Sequence, residues 1–197
     1  MTTPENNEKD CIRSFIAIDI SEEAKKELTR VQGILKKSGA DVKWAEPASV
    51  HMTLKFLGNI PVKSISAISE RLKNLASVTP KFSITLHELG VFPKWDLAKV
   101  LWVGVDKGEN ALKMLAGKVE EEMLLQGFDK ETRVFKSHIT IGRFRSSKHI
   151  HDLKKEAEQI VVNPALTTVA SIVLYRSTLT GQGSVYDKLF SCELLSQ

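Results

Sequence analysis

With 197 residues, 42% of them hydrophobic, the chain can bury a core, which excludes a disordered polymer and suits one domain or two small lobes packed together. A formal charge of +4 fits an anionic partner and an ordinary soluble surface equally well. Cys11 and Cys192 show no zinc-type spacing, no stretch approaches the ~20 apolar residues of a membrane span, and the polar first ten residues read as a loose tail, not a signal peptide. A cytoplasmic protein with reduced thiols is expected, a disulfide between the terminal strands being the alternative.

Residues 11–20 alternate as a strand, with Ile12, Ser14, Ile16 and Ile18 on one face and Phe15 and Ala17 on the other. Ser21 then caps a helix with Glu22 and Glu23 in its first turn, an apolar stripe of Leu28, Val31, Ile34 and Leu35, and an end at Ser38-Gly39. A short strand at 42–44 and a turn at Pro47 lead to a strand at 50–57, which Gly58-Asn59 is expected to close. Pro61 is predicted to open a second helix, with Ile65, Ile68, Leu72 and Leu75 on one side. Strands follow at 82–91 and 99–105, then a helix at 109–126 ended by Gly127. The remainder reads as a strand at 135–144, a helix at 150–159, a strand at 169–175, a turn at 180–183 and a last strand at 184–195.

That order is not the regular alternation of a doubly wound parallel sheet. It predicts an α+β fold with mostly antiparallel sheets and helices packed outside, and one His-apolar-Thr-apolar motif in each half, at 51–54 and 138–141, predicts two pseudo-symmetric lobes with the active-site cleft between them. One lobe would be built largely on the middle of the first half and the other on the second half, with the chain ends crossing between them. Residues 11–197 would form a single bilobal domain and residues 1–10 a flexible tail, with no linker inside.

The pattern His-apolar-Thr-apolar occurs twice, as His51-Met52-Thr53-Leu54 and, 87 residues later, as His138-Ile139-Thr140-Ile141. Two such tetrapeptides arise by accident in roughly one chain of this composition in a thousand. In a strand, His and Thr share one face and the apolar pair turns to the other. Two imidazoles can give and take a proton near neutral pH, and two hydroxyls can hold phosphate oxygens. That set suits a cyclic phosphodiester and requires no metal. His149 and His151 read as a solvated polar turn, and His87 as structural. Lys55, Lys136, Arg145 and Lys148 flank the motifs as a basic rim or a plain charged surface, and Trp44, Trp95 and Trp102 read as packing residues. No phosphate-binding Walker loop or dinucleotide fingerprint is present, so neither ATP nor NAD is expected.

From about Arg13 onward the chain resembles the 2H phosphoesterase superfamily, and within it the RNA 2′,3′-cyclic phosphodiesterases of the LigT type, formerly called 2′-5′ RNA ligases. The likeness lies in Arg13-Ser14-Phe15-Ile16-Ala17-Ile18, Lys43-Trp44 and Pro47, Leu54-Lys55-Phe56-Leu57-Gly58, Gly90-Val91-Phe92-Pro93, residues 100–105, Ser137-His138-Ile139-Thr140-Ile141-Gly142-Arg143, and the tail from Tyr175-Arg176-Ser177 to Gly183 with Tyr186. Ser137 stands where many relatives carry proline. The resemblance implies that His51 is the proton donor to the departing 3′-oxygen and His138 the proton acceptor from water. It implies that Thr53 and Thr140 hold phosphate oxygens, that Arg143 adds positive charge there, and that the product is a 2′-phosphate. It also implies possible reversal as 2′-5′ ligation, with no cofactor, no metal and a monomeric protein. The partner would be RNA with a 2′,3′-cyclic phosphate end, tRNA halves being one candidate. Phe15 matches a family aromatic near the site and reads equally as a base-stacking residue or as core, and Tyr186 has similar status. Small cyclic nucleotides, an ADP-ribose cyclic phosphate and 2′-5′ linkages remain alternative substrates, and RNA binding without turnover is an alternative of another class. Arg143 lies five residues after His138, so a regular strand would turn it away from the motif face. An irregularity at Gly142 is therefore predicted.

Overall fold

The structure, a computed structural model, describes residues 10–181 and 183–196. The expected tail at 1–10, apart from Asp10, lies outside these residues, as does Gln182 of the predicted turn. The elements run β1 (Cys11–Asp19), α1 (Glu22–Leu35), β2 (Val42–Trp44), β3 (His51–Pro61), α2 (Ile65–Ser77), β4 (Phe82–Phe92), β5 (Val100–Val105), α3 (Glu109–Leu124), β6 (His138–Phe144), α4 (Ile150–Gln159), β7 (Leu166–Val169), β8 (Ser171–Thr180) and β9 (Gly183–Glu193). The α+β class is as predicted.

The caps act as the sequence indicates. The Ser21 hydroxyl accepts the Ala24 N–H at 3.1 Å, satisfying one of the donors that α1 leaves open at its start. The same hydroxyl donates to the Leu166 carbonyl at 2.6 Å, which ties the helix to β7. Ala24, Leu28, Val31 and Leu35 form the buried stripe of α1. Each buried leucine or valine there contributes on the order of 1.5–3 kcal/mol.

All pairings between the named strands are antiparallel, in two sheets ordered β3-β1-β8-β9 and β2-β6-β5-β4-β7. The halves of the chain therefore do not each build one sheet. The C-terminal hairpin β8–β9 completes the sheet of β1 and β3, and β2, from the first half, edges the sheet of β6. One apolar cluster joins both sheets to the helices, through residues such as Ile16, Met52, Leu101 and Ile139 with Leu28, Ile68 and Leu112. A second, smaller cluster of Phe15, Ala17, Val173 and Tyr175, with Tyr186 against it, lies on the opposite face of the first sheet.

Several boundaries differ from expectation. Gly58 does not close β3. It sits at φ +71° opposite Ser14, while Phe15 pairs with Phe56, so Leu57 is an extra residue and the strand bends and continues to Pro61. A 3-10 turn at Val62–Ser64 precedes α2, so that helix opens at Ile65, not at Pro61. β6 starts at His138, three residues later than predicted. The single strand expected at 169–175 is two, because Ala170 separates the edge strand β7, paired with β4, from β8. Cys11 on β1 and the buried Cys192 on β9 are separated by β8 and are not bridged. Among the described residues no helix is long and apolar enough to cross a membrane.

Candidate active site

His51 opens β3 and His138 opens β6, and the two strands lie against each other where the sheets meet. Met52 and Ile139 are fully buried in the core, while His51, Thr53, His138 and Thr140 are half-buried on the other face. The alternation expected from the sequence is thus present in both motifs.

Both imidazoles are tethered in the same way. His51 Nδ1 lies 2.8 Å from the carbonyl oxygen of Ser49, and His138 Nδ1 lies 2.7 Å from that of Lys136, each two residues upstream. A carbonyl only accepts, so Nδ1 carries the hydrogen and Nε2 is left to exchange a proton.

Both motif strands also bulge at the same place. Between β1 and β3, Ala17 pairs with Thr53 and Ile16 with Lys55, leaving Leu54 extra. Between β5 and β6, Trp102 pairs with Thr140 and Leu101 with Gly142, leaving Ile141 extra. The irregularity predicted at Gly142 falls at this adjacent residue. In each strand it inverts the alternation, so the fifth residue after the histidine rejoins the motif face. In β6 that residue is Arg143, which is exposed and whose charge acts on His138. In β3 it is Phe56, 55% exposed, with its ring 6.1 Å from that of Phe15. Sequence reasoning missed Phe56. The signal available was its place, equivalent to that of Arg143.

The two histidines have different surroundings. His51 stacks on Phe15 at 4.6 Å between ring centroids and meets the edge of Tyr186 at 4.9 Å, with Tyr175 at 5.8 Å. Phe15 is only 3% exposed, so of its two readings the core one describes it, and the ring under His51 is not free to meet a base. Tyr186 is half-buried as an aromatic wall of His51. Asp19 is the cross-strand partner of His51. It accepts hydrogen bonds from the Tyr175 hydroxyl and from Lys188 Nζ, the latter at 2.6 Å. Around His138 stand Phe92 at 4.9 Å and Trp102 at 6.4 Å. The indole of Trp102 covers Gly90, where a Cβ would come within 2.1 Å of the ring. Lys136 Nζ sits 4.0 Å over that indole, so Lys136 is pinned on an aromatic face beside His138 and does not extend a loose rim.

Burial lowers the proton affinity of both histidines below the ordinary value. Smaller effects then act in opposite directions. The Ser49 carbonyl and the Asp19 carboxylate pull His51 back up. At His138 the Lys136 carbonyl pulls up, but the cations Lys136 and Arg143 push further down.

Lys55, also expected on the rim, is buried. Its ammonium donates to Glu120 at 2.7 Å and to the Asp129 carbonyl at 2.9 Å, and Glu120 in turn accepts the Glu131 N–H at 2.9 Å. The motif strand β3 is thereby tied to the segment that leads into β6. The Ser137 side chain is buried and its hydroxyl has no partner among the described residues. His149 precedes α4 and pairs with Asp152 at 3.0 Å, His151 is exposed in the first turn of α4, and His87 is exposed on β4. Among the described residues no group of three or more His, Cys, Asp or Glu is placed to hold a metal ion.

The sequence model of the family described as LigT like Phosphoesterase matches this chain twice, at residues 18–102 and 103–186. A Thermotoga maritima protein named RNA 2′,3′-cyclic phosphodiesterase is 34% identical over 92% of this chain and 95% of its own length. An Aeropyrum pernix protein of the same name is 31% identical over 86% of this chain and 96% of its own. Among solved structures, TT0787 of Thermus thermophilus superposes with a TM-score of 0.79 at 22% identity, over 94% of this chain and all of that one. Escherichia coli LigT in complex with 3′-AMP gives 0.73 at 22% identity, over 93% and 98%. Each half of the family match contains one bulged His-Thr strand, and the chain belongs to the LigT-like phosphoesterase family.

Proposed function

We propose that this chain hydrolyses the 2′,3′-cyclic phosphate at the end of an RNA to a 2′-phosphate, by proton transfer between two histidines. The observation that carries this reading is the pair of matching imidazoles, each fixed through Nδ1, set in opposite charge surroundings. The names carried by the Thermotoga and Aeropyrum relatives support the substrate.

His51, with the Asp19 carboxylate favouring its charged form, serves as general acid, and His138, with Lys136 and Arg143 disfavouring its charged form, serves as general base. His138 Nε2 takes a proton from water as its oxygen bonds to phosphorus. The bond from phosphorus to O3′ breaks, and His51 delivers its proton to that oxygen. Thr53 and Thr140 donate to the non-bridging oxygens, and Arg143 offsets the charge gathered there. Phe56, exposed on the same face, offers a ring to the terminal base. With a 5′-hydroxyl in place of water, the same two proton transfers make a 2′-5′ linkage. None of these steps calls on a metal ion.

The test is product analysis on a short RNA ending in a 2′,3′-cyclic phosphate, in excess EDTA, with the parent protein, His51→Ala and His138→Ala. Conversion to the 2′-phosphate that falls at least ~10²-fold in each folded variant is expected. No turnover by the parent, or equal turnover by the variants, overturns the reading. Tight binding without turnover would instead describe a non-catalytic RNA-binding protein.

A further inference from the structure

Lys43 lies on β2 as the cross-strand partner of Arg143 on β6. Val42, Trp44, Gly142 and Phe144 face the core side, so Lys43 and Arg143 share the motif face one strand spacing apart, about 4.8 Å. Like charges directly opposite each other on neighbouring strands repel. Neither cation has an ion-pair partner among the described residues. The Lys43 ammonium also reaches the tip of the β8–β9 hairpin of the other sheet. A Cβ placed on Gly183 would lie 3.3 Å from it. The second cation thus stands between the sheets, with Arg143 of β6 on one side and the β8–β9 tip on the other.

We propose that Lys43 binds the phosphate on the 5′-oxygen of the terminal nucleoside, which in an RNA is the phosphodiester to the preceding nucleotide. This rests on the phosphodiesterase reading and adds the class of substrate: an oligonucleotide end is preferred over a nucleoside cyclic phosphate. Bringing that second phosphate to the site relieves the repulsion of the cation pair, so chain length is read by charge and not by base identity.

The experiment compares the parent protein, Lys43→Ala and Lys43→Arg on three substrates with the same cyclic end: a nucleoside, its 5′-phosphorylated form, and a trinucleotide. On the trinucleotide, Lys43→Ala is expected to lose about tenfold in kcat/KM, through KM, the worth of one charge-assisted hydrogen bond. It should stay within about twofold on the unphosphorylated nucleoside, and Lys43→Arg should restore the trinucleotide rate. The dependence of log kcat/KM on log salt should flatten by about 0.7, one phosphate contact on a single strand. Equal losses on nucleoside and trinucleotide, or none on the trinucleotide, overturn the proposal. A loss confined to the 5′-phosphorylated nucleoside overturns the assignment to an RNA chain. Affinities for the 2′-phosphate forms of the nucleoside and trinucleotide are measured in parallel. If the parent turns over none of the three, the phosphodiesterase reading has failed. A trinucleotide preference in binding that Lys43→Ala removes would then still support the Lys43 subsite, and its absence would overturn it.

Discussion

Asp19 and Ser137 each adjoin a motif histidine, Asp19 across the strand pair from His51 and Ser137 just before His138. Asp19 raises the proton affinity of His51, so Asp19→Asn is expected to move the alkaline limb of the kcat/KM profile to lower pH. The acid limb, which the proposed mechanism gives to His138, should stay in place. In the parent protein both limbs should lie below the ordinary histidine value of 6.5, because burial lowers both groups. A pH profile in which Asp19→Asn shifts both limbs together would contradict separate donor and acceptor roles. Ser137 presents the opposite case, a buried hydroxyl with no partner among the described residues. Removing an unpaired buried polar group recovers its desolvation cost, so Ser137→Ala should gain about 1 kcal/mol in denaturant unfolding.

At the scale of elements, the bulges determine which side chains join the motif face. Plain alternation from His51 would send Lys55 to the same face as Thr53, whereas Lys55, flanking the motif, was expected on a basic rim or a plain charged surface. The extra residue Leu54 turns Lys55 into the core and brings out Phe56. Helices, caps and most strands were legible because a hydrophobic period and a capping residue act locally, as at Ser21 and in the stripe of α1. A bulge adds one residue and barely alters an apolar run, so the shared face of His51 with Thr53 and of His138 with Thr140 was legible, but the faces of Lys55 and Phe56 were not. The return of Arg143 to that face was legible in part, because the glycine before it signalled that the strand departs from regularity. Strand partnership was not legible, since an alternating pattern says which face is buried and not which neighbour pairs. Burial of Lys55 also makes a prediction. Lys55→Met leaves Glu120 facing the Glu131 amide without its cation, and the loss in unfolding free energy should be about 3 kcal/mol or more. Lys55→Met combined with Glu120→Leu should recover part of that loss, as measured in the same denaturant series.

For the whole molecule, the exchange of strands between halves makes the two sheets mutually dependent. A protein truncated before β8 would leave β1 without one partner and strip Val173, Tyr175 and Tyr186 from the cluster behind His51. Such a fragment should show no cooperative thermal transition by circular dichroism. Acid should act on the intact protein in two stages. Both motif histidines bind protons more weakly in the folded state, so the unfolded chain takes up protons first, and stability complete above pH 6.5 is lost as pH falls below it. Asp19 and Glu27, held below their ordinary values of 3.8 and 4.5, add a second loss as pH falls through that lower range. Replacing both motif histidines with glutamine should abolish the first stage in a Tm-against-pH series and keep the second. The matched tethers and matched bulges have a chemical corollary. A ribose cyclic phosphate has two scissile P–O bonds, to O2′ and O3′, and a scaffold that holds both imidazoles alike has no built-in reason to cut one over the other. Regioselectivity must come from what differs between the halves, chiefly the carboxylate beside one imidazole and the cations beside the other. A variant combining Asp19→Asn with Arg143→Gln should therefore not only slow down but begin to release 3′-phosphate along with 2′-phosphate, an isomer ratio that chromatography reads directly.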